Sequence, residues 1–447
     1  MGNLALSIAA SGVTAQQTAM DTVAQNLANS NTPGYVQETP TLTAAAGLSP
    51  LGVGLGVTPL ASGQAYDGLL QTSAQQASAA LAQSGALQQV LQGIQTGFPV
   101  STTTGLNADL SAFWQSWDTV AQKPSDSGAR SQVINLASNL ISDLHTSSAA
   151  IATSQGNAQQ QLSALVSADN SVLTQLAQLN TAIITTKAAG SSANSLIDQQ
   201  SQLMNQLSQD LGAVSSLQPN GTINVSIGGV NVVAGVTASQ LQLTGTAGSL
   251  GVQTTTGTAV TMTSGSAAGT LAAINQYLPD YQSQLDGVAN DLATTVNTQL
   301  AAGYTASGAP GGPLFTIGSG AASIGLVAAV AADPSLLAAS GTATLPDAAN
   351  NGANAQSMAN LYDASSGPDT AYRSFVQTMG TQISALNSQV QTQTSVANAA
   401  QANLQAVSGV NVNSQMVMML NYQQSYQASA KVISAVDQMM QSLLQAT

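Results

Sequence analysis

The stretch VNSQMVMMLNYQQSYQASAKVISAVDQMMQSLLQAT, residues 412–447, decides how the rest of the chain is read. An apolar residue recurs every seven positions at Val412, Met419, Tyr426, Ile433 and Met440. A second row, offset by three, runs through Gln415, Tyr422, Ser429, Val436 and Leu443, with Met416 beside it. Two interleaved heptad rows make a narrow apolar seam along one long helix. The other end of the chain, Leu4 to Asn31, repeats the spacing. Leu6, Val13, Met20 and Leu27 form one row, and Ala9, Gln16 and Val23 the other. Such a helix spans roughly 40–50 Å at 1.5 Å per residue. Alone in water it exposes its seam and is marginal. Packing the two chain ends on each other, and on further copies, removes that exposure. The ends are therefore expected to be assembly surfaces.

Composition narrows the remainder. At 447 residues the chain is long enough for two to four domains. It is 44% hydrophobic, much of it Ala, and 3% aromatic, which predicts thin helical cores of Ala, Leu, Val and Ile. Only 5% of residues are charged, against about 25% in ordinary globular proteins. Ser, Thr, Gln and Asn must supply the surface. The net charge is −13, and the five basic residues, Lys123, Arg130, Lys187, Arg373 and Lys431, are scattered. Without a basic patch, neither nucleic acid nor an anionic membrane is an expected partner. The absence of cysteine removes disulfides, thiolate zinc sites and cysteine nucleophiles together. Apolar runs such as 324–332 are too short to cross a bilayer. No basic region precedes an apolar core at the start, so export by a route other than Sec is expected.

The chain divides by changes of period. Residues 1–66 are the first seam helix and a Gly-, Leu-, Pro- and Thr-rich extended segment. The helix stops at Asn31-Thr32-Pro33-Gly34-Tyr35, where Pro33 lacks the amide a continuing helix needs and Gly34 permits a left-handed turn. Residues 67–215 read as long helices. The aromatic residues Phe113, Trp114 and Trp117, with Val120, are taken as the densest core, and Ser125 or Asp126 caps a long pattern over 127–188 whose one weak point is Gly156. At Pro219 the period becomes two. Residues 216–265 form a β-rich insert that opens with a hairpin turning at Gly228-Gly229. Residues 266–369 are a helix expected to kink at Pro279, then a mixed Gly- and Ala-rich region without clear period. A returning helix occupies 370–407, and 408–447 is the last seam helix. The expected fold is mainly α with a small β-rich insert. Its long terminal helices pair as a coiled coil, and an elongated helical bundle carries an outer β domain.

The string from Ala24 through Asn31-Thr32-Pro33-Gly34-Tyr35 resembles the N-terminal signature of bacterial flagellar axial proteins, the rod, hook and hook-associated subunits. In the middle, Asp198-Gln199-Gln200 followed by Gly221-Thr222-Ile223-Asn224-Val225 is similar to the hook-associated subunits of the hook–filament junction. So are Asn297 to Gly303 with Leu314-Phe315, and Ser408 to Asn411 with the run from Tyr422 to Ile433. Three departures stand out: Gln200 replaces an Arg, Val36-Gln37 lacks an Arg, and Asn413-Ser414-Gln415 replaces acidic residues. Hydrogen-bonded amides are expected where the family has ion pairs, making assembly less sensitive to salt.

The resemblance implies a structural subunit exported through the flagellar type III channel and assembled outside the cell as a helical tube of copies. It implies as neighbours the hook protein and a second hook-associated protein toward the filament. It also implies an export chaperone on the C-terminal helix at Met416, Met419, Tyr422, Tyr426, Ile433 and Met440. A hook or distal rod subunit is the alternative within the family, and a secreted coiled-coil type III substrate lies outside it. No catalytic, metal or cofactor site is expected. Glu38, the only glutamate, reads as lying in an exposed turn, the aspartates nominate no pair, and the only histidine, His145, reads as a solvated helix residue.

Overall fold

The computed structural model describes residues 2–32, 34–46, 54–98 and 104–445. Pro33, residues 51–53 of the extended segment and the side chain of Leu443 lie outside the described residues.

Helix α1 (Gly2–Ala28) leads through the motif turn to an antiparallel hairpin, β1 (Glu38–Ala44) and β2 (Val57–Gln64). The register slips between Thr39 and Thr41, at Pro40, which cannot donate to the ladder. Four helices follow: α2 (Gly68–Gln95), α3 (Leu106–Gln122), α4 (Ser127–Ala188) and α5 (Asn194–Leu211). Asp67 and Asp126 cap α2 and α4 by accepting from free first-turn amides. At 62 residues, α4 is about 90 Å long and forms the spine of the molecule.

The β-rich region packs beside the C-terminal half of α4. One sheet has the order β3-β4-β5-β6, from β3 (Val214–Leu217), β4 (Ile223–Ile227), β5 (Val230–Ala234) and β6 (Thr237–Ala238). Gly228 and Gly229, at φ +53° and +83°, make the tight turn between β4 and β5. A second sheet joins β7 (Leu241–Thr244), β8 (Gly251–Thr254) and β9 (Ala259–Val260).

Helix α6 (Gly265–Ala272) passes into a π-helical turn at Ala273–Tyr277 and on into α7 (Leu278–Ala301). Pro279 explains that turn, because its missing amide removes one rung of the α-helical ladder. The region 302–367 holds the short strands β10 (Phe315–Thr316) and β11 (Gly325–Leu326) and the short helices α8 (Ala328–Ala332), α9 (Asp347–Asn350) and α10 (Ala353–Ala359). Helix α11 (Pro368–Ser408) returns along α2 and α7, and α12 (Val412–Gln445) lies along α1.

The core is aromatic where the body's helices meet. Phe98, Phe113, Trp114, Trp117, Tyr281, Phe315 and Phe375 are all buried, with ring contacts of mostly edge-to-face geometry. Trp114 Nε1 donates to the buried carboxylate of Asp369 at 2.6 Å, so this carboxylate in the core has a donor. One expectation needs correction, and one residue read as solvated also has a partner. Glu38 is not in an exposed turn: it opens β1 and is buried. His145 is exposed, yet its Nε2 lies 2.9 Å from the carbonyl of Ile324, tying α4 to the loop before β11.

Helices hold strands through asparagine throughout the molecule. Asn170 accepts from Leu241 N–H and donates to Leu241 O. Asn180 does the same to Ile223, Asn275 to Leu250 and Asn297 to Phe315. A carboxamide carries one donor and one acceptor side by side, as a peptide group does, so a helix can offer a strand the partner it would find in another strand.

Candidate assembly surface at the chain ends

Helices α1 and α12 run antiparallel. Asn26 meets Gln415, and Gly12 meets Ser429, so fourteen residues separate the two contacts on each helix. A Cβ at Gly12 would lie 3.1 Å from Ser429 Oγ, and glycine is what allows this close approach.

The inner faces carry the seam positions. On α1, Ala9, Ala15, Ala19 and Val23 are buried, and Leu6, Val13, Met20 and Leu27 are half-buried. On α12, Gln415 and Val436 are buried, while Met419, Tyr422, Tyr426, Ile433 and Met440 are half-buried. Met416 faces outward, at 50% exposure, while Val412, on the side of Met419, is 40% exposed as the first residue of α12. Met416 joins Val417, Leu420, Val432 and Met439 in an exposed apolar face of α12.

The register is set by a polar knot that sequence reasoning missed. Asn26 is fully buried. Its Oδ1 accepts from Tyr35 Oη at 2.8 Å and from Glu38 N–H at 2.9 Å. Its Nδ2 donates to Glu38 O at 2.7 Å and to Gln415 Oε1 at 3.1 Å. One side chain thus joins α1, the motif turn, β1 and α12. A buried polar residue in an apolar seam penalises every other register, because shifting leaves it unpaired. Gln415, a polar residue in a heptad row, was the visible signal.

Carboxyl groups flank this knot. Gln64 Nε2 donates to Asp198 Oδ1 at 2.8 Å, fastening β2 to α5. Burial pushes Asp198 up to about 6, and Glu38 nearby adds to the rise, while the bonds from Gln64 and the Val36 backbone oppose it. Burial, then Glu38 and Asp198, push the Tyr35 phenol up to about 12, so it stays a donor to Asn26.

In the motif turn, Thr32 N–H bonds Asn29 O and Tyr35 N–H bonds Thr32 O. Gly34 has φ +77°, and a Cβ there would fall 2.7 Å from Gln202 Cγ on α5. Asn31 and Thr32 are exposed. They border a hollow of about 660 Å³ shared with Gln405 and Gly409, at the joint between α11 and α12. Gln37 N–H bonds Ser408 O across that joint. The Gln200 amide, where the resemblance leads one to expect Arg, is buried and donates to Asn180 Oδ1 at 2.8 Å.

No group of three or more His, Cys, Asp or Glu residues is placed to hold a metal among the described residues. No described helix is long and apolar enough to cross a membrane. The chemistry of this surface is packing and hydrogen bonding.

Comparison with known proteins agrees with this architecture. Residues 91–315 match the family model described as the flagellar hook-associated protein FlgK helical domain. Residues 6–35 match the flagella basal body rod protein model, and 400–446 the flagellar basal body rod FlgEFG protein C-terminal model. Flagellar hook-associated protein 1 of Escherichia coli (strain K12) is 28% identical over 330 residues, covering 69% of this chain and 59% of that protein. The match therefore spans less than two thirds of the enterobacterial relative. Flagellar hook-associated protein 1 of Bacillus subtilis (strain 168) is 25% identical, covering 99% of this chain and 97% of that protein. A solved structure described as the flagellar hook junction protein FlgK from Burkholderia pseudomallei shares the fold, with a TM-score of 0.66 at 18% identity over 76% of this chain and 100% of that one. With one family model matched over half of its length, the chain belongs to the flagellar hook-associated protein FlgK helical-domain family.

Proposed function

We propose that this chain is a structural subunit of the bacterial flagellum, joining hook to filament and assembled through its terminal helices. The observation that carries the reading is the apolar outer face of α12, from Met416, Val417 and Leu420 to Val432 and Met439. Pairing with α1 covers the inner seam and leaves this face to neighbouring copies. Burying one such side chain stabilises by about 1.5–3 kcal/mol. Several per subunit offset the entropy of ordering the ends, and only once neighbours are present.

The neighbours in this reading are further copies in a helical tube, the hook protein on one side and a second hook-associated protein on the other. Export runs through the flagellar type III channel to the outside of the cell, and the subunit performs no catalysis. An export chaperone holds Met416, Met419, Tyr422, Tyr426, Ile433 and Met440. Five of these six are half-buried against α1, so the chaperone and α1 compete for one face. Residues 1–66 and 408–447 act as the inner assembly domain. Residues 67–215 and 370–407 form the bundle, 216–265 the outer β-rich insert, and 266–369 a helix followed by a mixed outer region.

Deleting the gene and viewing cells and medium by negative-stain electron microscopy tests this. Bare hooks with unpolymerised flagellin in the medium are the expected result, and complementation with Ile433→Asp should leave them bare. Missing hooks would move the subunit to the hook or distal rod. Normal filaments would remove it from the junction.

A further inference from the structure

Strand β3, Val214–Leu217, is an edge: among the described residues it pairs with β4 on one side and with nothing on the other. All four of its residues are exposed, Leu217 at 60%. Gln218 N–H bonds Thr222 O, which makes that pair a hydrogen-bonded one. Antiparallel ladders alternate, so Ser216 and Val214 also direct their backbone groups toward β4. The N–H and C=O groups of Ser215 and Leu217 therefore point to the open side. Edges of this kind are ordinarily blunted by shortness, charge, proline or a bulge. Val214-Ser215-Ser216-Leu217 is short, at four residues, but carries no charge, proline or bulge.

The face of this sheet that carries Ser215, Leu217 and Ile223 borders a cavity of about 350 Å³ beside that edge. Tyr66, Ile197, Met204, Leu217 and Ile223 give it apolar walls. At its rim stands Lys187, at the end of α4. The Lys187 stem lies across Gly221, so close that a Cβ on Gly221 (φ +87°) would collide with Nζ. Glycine in the β3–β4 turn thus leaves room for this lysine. Its ammonium has no hydrogen-bond or carboxylate partner among the described residues, in a chain with 18 acidic and five basic side chains.

The geometry points to a strand-addition site: β3 receives an extended segment of a partner protein, with one apolar side chain in the Tyr66–Met204 cavity and a carboxylate on Lys187. Three features specify that occupant. The open peptide groups require extended backbone, the cavity requires an apolar side chain at alternate spacing, and the unpaired ammonium selects an acidic neighbour. The site lies apart from the α1–α12 seam and does not depend on the junction assignment.

The test is selection from a display library of short random linear peptides on the intact chain, followed by fluorescence anisotropy with the selected peptide. The expected consensus alternates apolar residues and carries Asp or Glu. Methylating alternate backbone nitrogens of that peptide should abolish binding, and Lys187→Glu should weaken it about tenfold. Ser215→Pro should abolish it while circular dichroism stays unchanged. If that variant misfolds, Lys187→Glu and the methylated peptide still decide. Selection without an acidic, alternating consensus would overturn the proposal, as would binding indifferent to these changes. Reversible self-association of the free chain that Lys187→Glu abolishes would also overturn it, by assigning the edge to a second copy.

Discussion

Asn180 is fully buried on α4, with its carboxamide on Ile223 and Gln200 at once. Replacing it with Asp keeps the shape and exchanges the Nδ2 donor for an oxygen facing the carbonyls of Ile223 and Gly235. Leaving such groups unpaired costs about 1–3 kcal/mol each. Asn180→Asp should therefore lower the urea midpoint by more than Asn180→Ala, and equal effects would mean that the bond pattern matters less than the volume. Buried carboxyls set the pH response. Asp169 is fully buried with no donor to either oxygen, and burial, reinforced by the facing Asp210, pushes it up to about 8. Asp198 is pushed up to about 6. Both groups bind protons more tightly folded than unfolded. Stability is thus greatest below about pH 4, falls most steeply between about 4 and 6, and goes on falling more gently to about 8. Thermal melts across that range should show the decline, and Asp169→Asn should flatten its upper part. None of these pairings was legible in the sequence, because each joins residues far apart in the chain. Only the substitution of Gln200 for Arg hinted that amides do this work.

At the scale of the element, the heptad rows were legible because period is local. Val13, Met20, Tyr426 and Ile433 lie on the seam since a helix places every seventh residue on one side. What periodicity could not distinguish was the inner face from the outer one. Met416 and Leu420 are as apolar as Met419, yet they point away from α1. The antiparallel register was equally hidden, because it rests on Asn26 and on the lack of a side chain at Gly12. Asn26→Ala strands Glu38 N–H and Tyr35 Oη without their acceptor and should loosen both terminal helices. Hydrogen exchange of α1 and α12 should quicken while that of α4 is unchanged. Slowed or unchanged exchange in α1 would deny the knot its role. The π-helical turn was foreseen only as a kink at Pro279, and its particular form places Asn275 against Leu250.

At the scale of the molecule, the aromatic core lies entirely in the body, between α2, α3, α7 and α11. The chain ends reach that body chiefly through Gln64–Asp198, Gln37–Ser408 and Gly34–Gln202. A chain trimmed to residues 67–408 should therefore keep its near-ultraviolet tryptophan signal and a cooperative melt, while losing the ability to assemble. Loss of the tryptophan signal would show that the ends are part of the fold. The long helices and the β insert were readable because each spans several periods. Residues 302–367 were not, since their elements are two to seven residues long and are fixed by tertiary bonds such as those of Asn297 and Asn354.

That the ends pair in one register, and assemble in it, can be tested by cross-linking. A Cβ built at Gly12 lies 3.7 Å from Ser429 Cβ, within the separation of about 3.5–4.5 Å that a disulfide spans. The chain has no cysteine of its own. Introducing Gly12→Cys together with Ser429→Cys, and shearing flagella from cells under mild oxidation, should give a within-chain cross-link in both the purified subunit and the assembled flagellum. A cross-link in the free subunit but not in the flagellum, or only between subunits, would contradict the pairing on which the assembly surface rests.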